Sequence, residues 1–442
     1  MSGRRDLLHL AGACLLLTLG IWVNTGTLAP LGATLEHPLV WEPCKYLLNI
    51  DHFHSKAAFL MLDGAPREQW EFSVTLRRIL HPLLAYPLMK LLGFGGGGLV
   101  ANVLLSAGAL AAFWIPLQRR YHGRVPAAIL YLIATYPGWF YWAGLPYAYA
   151  AIVPASLLCL VLLWRLESLA TWRQAVPVGL GLGVLFTAYD LLPFFGPAAV
   201  LLLLWRRRWA LCAVLAATQV VPTILVQLSL SRLYAVPLRN SNSEVYLQIL
   251  DSYLPPYDWP GWGSLLALLP KVLVDSFFFS NFLFLPVLFL IGLAASRWLP
   301  RERRSRRPAE ACVLLAAVLL FVFNNAAPPY LGWQMRGFWI ARLYQPVVAA
   351  LVSLLAGLYA DAPLLPRPVR VGSWAALLLT IALNSWVVFA PVLGHAQLSG
   401  FLHFRFYRHA PRPLYAENLR KFGARPVGFC ASPPISRESV TH

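Results

Sequence analysis

The sequence predicts an all-α fold: a polytopic membrane helix bundle of about 11 transmembrane helices, with amphipathic interfacial helices in its first outer loop. Three observations carry this. Of 442 residues, 59% are hydrophobic and only 12% charged, whereas an average soluble domain carries about 25% charged residues. Apolar runs near 20 residues recur along the whole length, which is what a helix needs to cross a bilayer core. The arginines gather in short clusters between alternate runs, as they do where loops stay on the cytoplasmic side.

The runs fall at roughly 7–24, 98–117, 125–141, 147–164, 174–188, 191–205, 209–229, 277–295, 309–325, 342–360 and 371–391. The first follows MSGRRDLL and reads as a retained signal-anchor. With the N-terminus inside, the inner segments hold Arg4 and Arg5, Arg119, Arg120 and Arg124, Arg165 and Arg173, Arg206 to Arg208, the arginines of 297–307, and Arg367 and Arg370. The short outer turns near 142–146 and 189–190 hold no Lys or Arg. Large segments then face outward at 25–97 and 230–276, and an odd number of crossings puts the tail 392–442 outside as well. Residues 1–391 form one transmembrane domain.

The net charge of +18 sits largely in these clusters. No soluble basic domain exists to track a phosphate backbone, so nucleic acid is excluded as a partner. The 17 Trp and 18 Tyr suit interfacial belts. Cys14, Cys159, Cys212 and Cys312 lie in apolar runs and read as small core residues. Cys44 and Cys430 both fall on the outer side, where an oxidising compartment would allow them to pair. No Cys-x-x-Cys or His-x-x-x-His spacing marks a metal site. No cofactor is expected, although a divalent cation is left open.

The segment 36–92 is the polar exception. It holds Glu36, Glu42, Asp51, Asp63, Glu68 and Glu71, six of the 18 carboxylates. Residues 68–81 follow a helical pattern, with Phe72, Leu76, Ile79, Leu80 and Leu83 on one stripe and Glu71, Thr75 and Arg78 on another. Pro82 is expected to end or bend that helix. A second short helix is expected over 51–62, closed by the turn signal Asp63-Gly64.

A carboxylate at the outer interface can act as general base on a hydroxyl or amide, and arginines beside it can hold a phosphate. Asp51 with Arg77, Arg78 and His81 offers that mixture, with His52 and the candidate substrate contact His54 adjacent, against the plainer reading of a solvated amphipathic hairpin. Asp190 stands between two apolar runs, where an acid needs a polar cavity or the outer surface. Arg336 and Arg342 approach the same face late in the chain.

The stretch NIDHFHSKAAFLMLDG, followed by LRRILHPLLAYPLMKLLGF, resembles the first outer loop of GT-C-type integral-membrane glycosyltransferases. Those carry a pattern like D-x-x-x-Y/H-x-x-x-A-x-x-x-x-x-G and then R-x-P-L-Y-P-L-L. Asp51 takes the acid position, Gly64 the last Gly, and His81 stands where Tyr is usual. YPGWFYWAGLPYAYAAIVPASLLCLVLLW resembles the third and fourth spans of that family, but Tyr147, Ala148 and Tyr149 replace its Ser-Glu. FTAYDLLPFFGPAAVLLLLW resembles its T-R-P-E-G-L-L turn, with Tyr189-Asp190 in place of the usual pair. FWIARLYQPVVAALVSLLAGL resembles its late span, where Arg342 matches an arginine that often reaches the lipid phosphate.

The resemblance implies transfer of a sugar from a polyprenyl-phosphate donor to an acceptor on the outer face by direct inverting displacement. Asp51 would be the base or acceptor-orienting acid, and Arg342, with Arg78 or His81, would hold the leaving phosphate. The rival readings are a transporter or flippase of a lipid-linked sugar, a polysaccharide polymerase or ligase, and a non-catalytic membrane subunit. The Ala/Leu/Arg-rich composition and the lack of any Asn-x-Ser/Thr sequon point to a bacterial inner membrane, with the active site facing the periplasm.

Overall fold

Two helices make the axis of the molecule. The computed structural model describes residues 2–24, 50–70, 76–144, 146–236, 285–299, 308–326 and 340–389. Among them the α-helices are α1 (Ser2–Asn24), α2 (Ile50–Leu62), α3 (Leu80–Leu92), α4 (Phe94–Arg120), α5 (Val125–Ala134), α6 (Pro137–Ala143) and α7 (Ile152–Leu166). There follow α8 (Trp172–Phe186), α9 (Phe195–Trp205), α10 (Trp209–Tyr234), α11 (Leu285–Ala295), α12 (Pro308–Ala326), α13 (Ile340–Ala360) and α14 (Arg367–Phe389). Short 3-10 turns link several of them, and no strand occurs among the described residues.

The axis is α7, entered through the 3-10 turn Ala148–Ala151, with α13 packed along it. Buried residues make up 78% of the apolar window in the first and 72% in the second. Helix α7 also packs against α4 and α8, while α12 and α11 flank α13. By contrast only 22% of the window is buried in α1 and in α10. Their outer faces carry Leu7, Leu8, Leu15, Ile224, Leu225 and Leu233 in the open. Large exposed aliphatic faces on long, strongly apolar helices are what a hydrocarbon surround covers.

Among the described residues, six helices are long and apolar enough to cross a membrane: Arg5–Val23, Phe94–Arg120, Ala148–Leu166, Trp209–Tyr234, Gln345–Leu364 and Arg367–Phe389. Three shorter apolar helices, Val125–Ala134, Leu192–Trp205 and Leu285–Trp298, lie among them. The chain is therefore a multi-pass helical membrane protein. Membrane helices associate through close backbone approach rather than hydrophobicity, and α8 on α10 illustrates it. A Cβ on Gly183 would stand 2.2 Å from the Gln219 carbonyl oxygen. Thr223 Oγ1 donates to the Gly183 carbonyl at 3.1 Å. The α3–α4 hairpin closes in the same way, since a Cβ on Gly97 would stand 2.2 Å from the Leu88 carbonyl oxygen.

Two expectations need correction. The run 125–141 is not one helix: α5 ends at Ala134 and α6 begins at Pro137. Proline lacks an N–H and forces the preceding residue out of the helical region, and Tyr136 is extended at φ −68°, ψ 115°. Likewise Pro82 does not end a helix over 68–81. It occupies the first turn of α3, where its missing N–H has no intrahelical partner to lose. The residues before it form 3-10 turns at Arg67–Gln69 and Leu76–Arg78, and 71–75 lie outside the described residues.

The expected helix over 51–62 is present as α2, and Gly64 closes its turn at φ +77°, a conformation that glycine adopts without strain. Of the cysteines in apolar runs, Cys159, Cys212 and Cys312 are buried and Cys14 half-buried. Cys44, Cys430, the segment 237–284 and the tail lie outside the described residues.

Candidate functional site

The arginine-poor end of the bundle is where the segment from α2 to the start of α3 docks. Its anchor is apolar. Ala57, Ala58 and Met61 of α2 share a buried cluster with Trp70, Leu76 and Ile79, and that cluster rests on Leu230 and Val236 at the end of α10. The Trp70 ring meets Tyr234 edge-on at 6.3 Å. Polar contacts then fix the register. Ser55 Oγ accepts from the Ala148 amide at 3.1 Å, and the Leu80 amide donates to the Thr187 carbonyl at 3.2 Å. Arg67 Nη2 donates to the Ala235 carbonyl at 3.2 Å.

Arg78 is the centre of this docking. Its Nε and Nη2 donate to Asp190 Oδ2 at 2.8 and 2.5 Å, and its Nη1 donates to the Tyr149 hydroxyl at 2.8 Å. The guanidinium carbon lies 5.5 Å from the Tyr149 ring centroid and 5.2 Å from that of Tyr189. Tyr149 in turn meets Tyr189 and Trp142 edge-on. The side chains of Arg78 and Asp190 are only 15% and 12% exposed. A planar guanidinium suits such a cage because it can hydrogen-bond in its plane and stack on rings above and below. Three separate stretches, 76–80, 148–149 and 187–190, meet on this one side chain.

His81 sits one turn on and is fully buried. Its Nε2 lies 2.7 Å from Asn102 Oδ1, and Asn102 Nδ2 donates to the Ala143 carbonyl at 2.8 Å. The Asn102 oxygen is thus an acceptor, which assigns the proton of the neutral imidazole to Nε2 and leaves Nδ1 bare. That Nδ1 has no hydrogen-bond partner. Burial pushes the His81 pKa down to about 4.

Set against the sequence-predicted residues, the pair Arg78 and Asp190 is brought together, and His81 lies one turn away inside the packing. Asp51 is in the first turn of α2, four residues before Ser55. Arg342 is in the first turn of α13, three residues before Gln345, whose Nε2 donates to the Gly138 carbonyl of α6 at 3.1 Å. Both backbones therefore start from the arginine-poor end. His54 and Arg77 also have described backbones, in α2 and the Leu76–Arg78 turn, while Arg336 lies outside the described residues.

Asp190, without a cation near it in sequence, takes one from 112 residues away. Tyr149 and Tyr189, noted only as departures from a family pattern, form the walls around Arg78. Glu167 was not picked out at all. Its signal was an acid set between Arg165 and Arg173, and at the arginine-rich end it binds Arg120 and Arg206. No group of three or more His, Cys, Asp or Glu side chains able to hold a metal occurs among the described residues.

Fold and site together define the class: a helical multi-pass membrane protein with, among the described residues, a cage-held Arg–Asp pair where the segment from α2 to α3 meets the bundle. Comparison with known proteins finds no matching family model, no matching curated protein and no matching solved structure.

Proposed function

We propose that the protein is a membrane glycosyltransferase that moves a sugar from a polyprenyl-phosphate donor to an acceptor on the outer face of a bacterial inner membrane. On this reading the eleven apolar runs are eleven crossings. Asp51 serves as the base, or orients the acceptor hydroxyl or amide. The acceptor oxygen or nitrogen attacks the anomeric carbon from the face opposite the leaving group, its proton passes to the carboxylate, and the polyprenyl phosphate departs. Arg342 neutralises the departing phosphate.

The observation that carries the reading is the placement of α2. Its first turn, with Asp51, stands at the same end of the bundle as the first turn of α13, with Arg342. The motif resemblance supplies the donor class. Arg78 takes the role of a strut here, because three of its nitrogens already donate to Asp190 and Tyr149.

The test is transfer of radiolabelled sugar from polyprenyl-phosphate donors in membranes containing wild type or Asp51→Asn, with equal insertion checked by protein yield and melting temperature. Transfer is expected to fall by about a hundredfold or more, the range that one acid–base group contributes. Near-normal transfer by Asp51→Asn removes that residue from its role. Absence of transfer by wild type across hexosyl and pentosyl donors removes the function.

A further inference from the structure

At the arginine-rich end two turns lie side by side, and together they are unbalanced in charge. One runs from α7 to α8 over 165–173, the other from α9 to α10 over 205–209. They are tied by Arg206 and Arg208. Arg206 Nη1 donates to the Glu167 carbonyl at 2.6 Å, its Nη2 stands 3.6 Å from Glu167 Oε1, and Arg208 Nη1 donates to the Leu169 carbonyl. Glu167 is the one acid in either turn, and Arg120 pairs with its other oxygen.

What is left over is all positive. Arg165, Arg173 and Arg207 are exposed, and their side chains have no acidic partner among the described residues. Arg207 sits at φ 56° between two arginines that reach back to the neighbouring turn. Around them stand Trp172, Trp205 and Trp209, exposed by 57%, 66% and 68%. The Arg173 guanidinium lies 5.5 Å from the Trp172 ring centroid.

We propose that these paired turns bind the phosphate headgroup of an anionic phospholipid. The arginines supply forked donors for phosphate oxygens. The tryptophans choose the source of that phosphate. Indole rings left in water are unfavourable, but at headgroup depth they find both an apolar and a wet neighbour. The helices that leave these turns, α8 and α10, present exposed Leu180, Val220 and Val221 two to three turns along. A headgroup on the turns would thus continue into acyl chains along the same faces. A free phosphate or a soluble acidic protein would leave rings and faces uncovered. The site is independent of the sugar-transfer reading, because it lies at the opposite end of the bundle from Arg78.

The test compares the full chain with a triple variant, Arg165→Gln, Arg173→Gln and Arg207→Gln, and with a control triple, Arg5→Gln, Arg119→Gln and Arg124→Gln. The control removes equal charge from exposed arginines elsewhere at the same end. Phosphatidylglycerol is titrated into each protein in neutral detergent, and retained lipid is counted by native mass spectrometry. The site triple is expected to lose about fivefold or more in affinity, the scale of one arginine–headgroup contact or more, and the control less than twofold. Equal loss in both triples makes the effect plain surface charge and overturns the site. Equal retention of phosphatidylcholine, or displacement of the lipid by inorganic phosphate at matched concentration, also overturns it. If the triple fails to insert, the single variants Arg173→Gln and Arg207→Gln are read by the same titration, and unchanged affinity in both overturns the proposal.

Discussion

The two ends of the bundle solve the same problem with different arithmetic. At the arginine-poor end one guanidinium meets one carboxylate, Arg78 with Asp190, inside a tyrosine cage. At the other end two guanidiniums meet one carboxylate, Arg120 and Arg206 with Glu167, beside Trp164 and Tyr121. Both place a cation over aromatic rings. The difference lies in what the charges hold. Arg120 ends α4, while Glu167 and Arg206 follow the last turns of α7 and α9, and Arg206 also satisfies the Glu167 carbonyl at the end of α7. Arg78 and Asp190 lie in connecting segments, and their pair is a main polar tie between the segment joining α2 to α3 and the bundle. An ion pair backed by helix ends is redundant, whereas one between loops is not.

The largest expected effect follows from that lack of redundancy. In Asp190→Ala the Arg78 guanidinium, only 15% exposed in the intact pair, loses its charge partner. Breaking such a pair from one side leaves a poorly solvated charge, at a cost of about 3 kcal/mol. Thermal unfolding in detergent should show a clear drop in melting temperature for Asp190→Ala and for Arg78→Ala. The exchanged variant, Arg78→Asp with Asp190→Arg, should recover part of it. If Asp190→Ala melts like wild type, the Arg78–Asp190 pair is not a strut and the contrast between the ends is lost.

Acid sensitivity should also belong to the arginine-poor end. Its buried imidazole among the described residues is His81, held neutral with a pKa near 4 in the fold and about 6.5 when unfolded. A depressed folded pKa means that the unfolded chain binds the extra proton first. The contribution is therefore complete above pH 6.5 and is lost as pH falls toward 4, by at most about 1.4 kcal/mol per pH unit. Melting temperatures measured across that window should fall for wild type and fall less for His81→Leu. Equal slopes would show that the imidazole is not the acid-sensitive group.

Why one end was easier to read than the other follows from sequence distance. Hydropathy marks the long helices because each span satisfies its own backbone within one stretch. The turn at Asp63-Gly64 and the helix before it were legible for the same local reason. Arg78 with Asp190 was not, since nothing at either position names a partner 112 residues away. Only half the signal was there: an acid between apolar runs must be compensated by something. Pro82 misled because proline at a helix start and proline at a helix end look alike without the caps. Pro137 was legible in principle, as a break inside an apolar run, but continuous hydrophobicity over 125–141 hid it.

Glu167→Gln should cost less than loss of Asp190, about 1 kcal/mol. Arg206 keeps its 2.6 Å bond to the Glu167 backbone carbonyl, and Arg208 keeps its bond to Leu169. Arg120 is 23% and Arg206 28% exposed, so water can take over from the carboxylate. Side-by-side melts of Glu167→Gln and Asp190→Asn separate the two ends directly. Equal losses would mean that the helix-end carbonyls give no protection and that the two clusters are energetically alike.

The smallest effect tests whether burial, rather than charge pairing as such, sets this order. Lys90 donates to Asp63 Oδ1 at 3.1 Å, and Tyr86 donates to the same carboxylate at 3.1 Å. Lys90, then Tyr86, hold the Asp63 carboxyl below its usual range through these hydrogen bonds. On sign alone, that adds stability above the unfolded pKa and loses it as pH falls. Both groups stand in solvent, however, where screening and side-chain entropy cancel most of the attraction. Asp63→Asn should leave the melting temperature unchanged within error at every salt concentration. A salt-dependent drop would mean that exposed pairs between the turn after α2 and α3 matter as much as the caged one, and burial would no longer explain why Arg78 does.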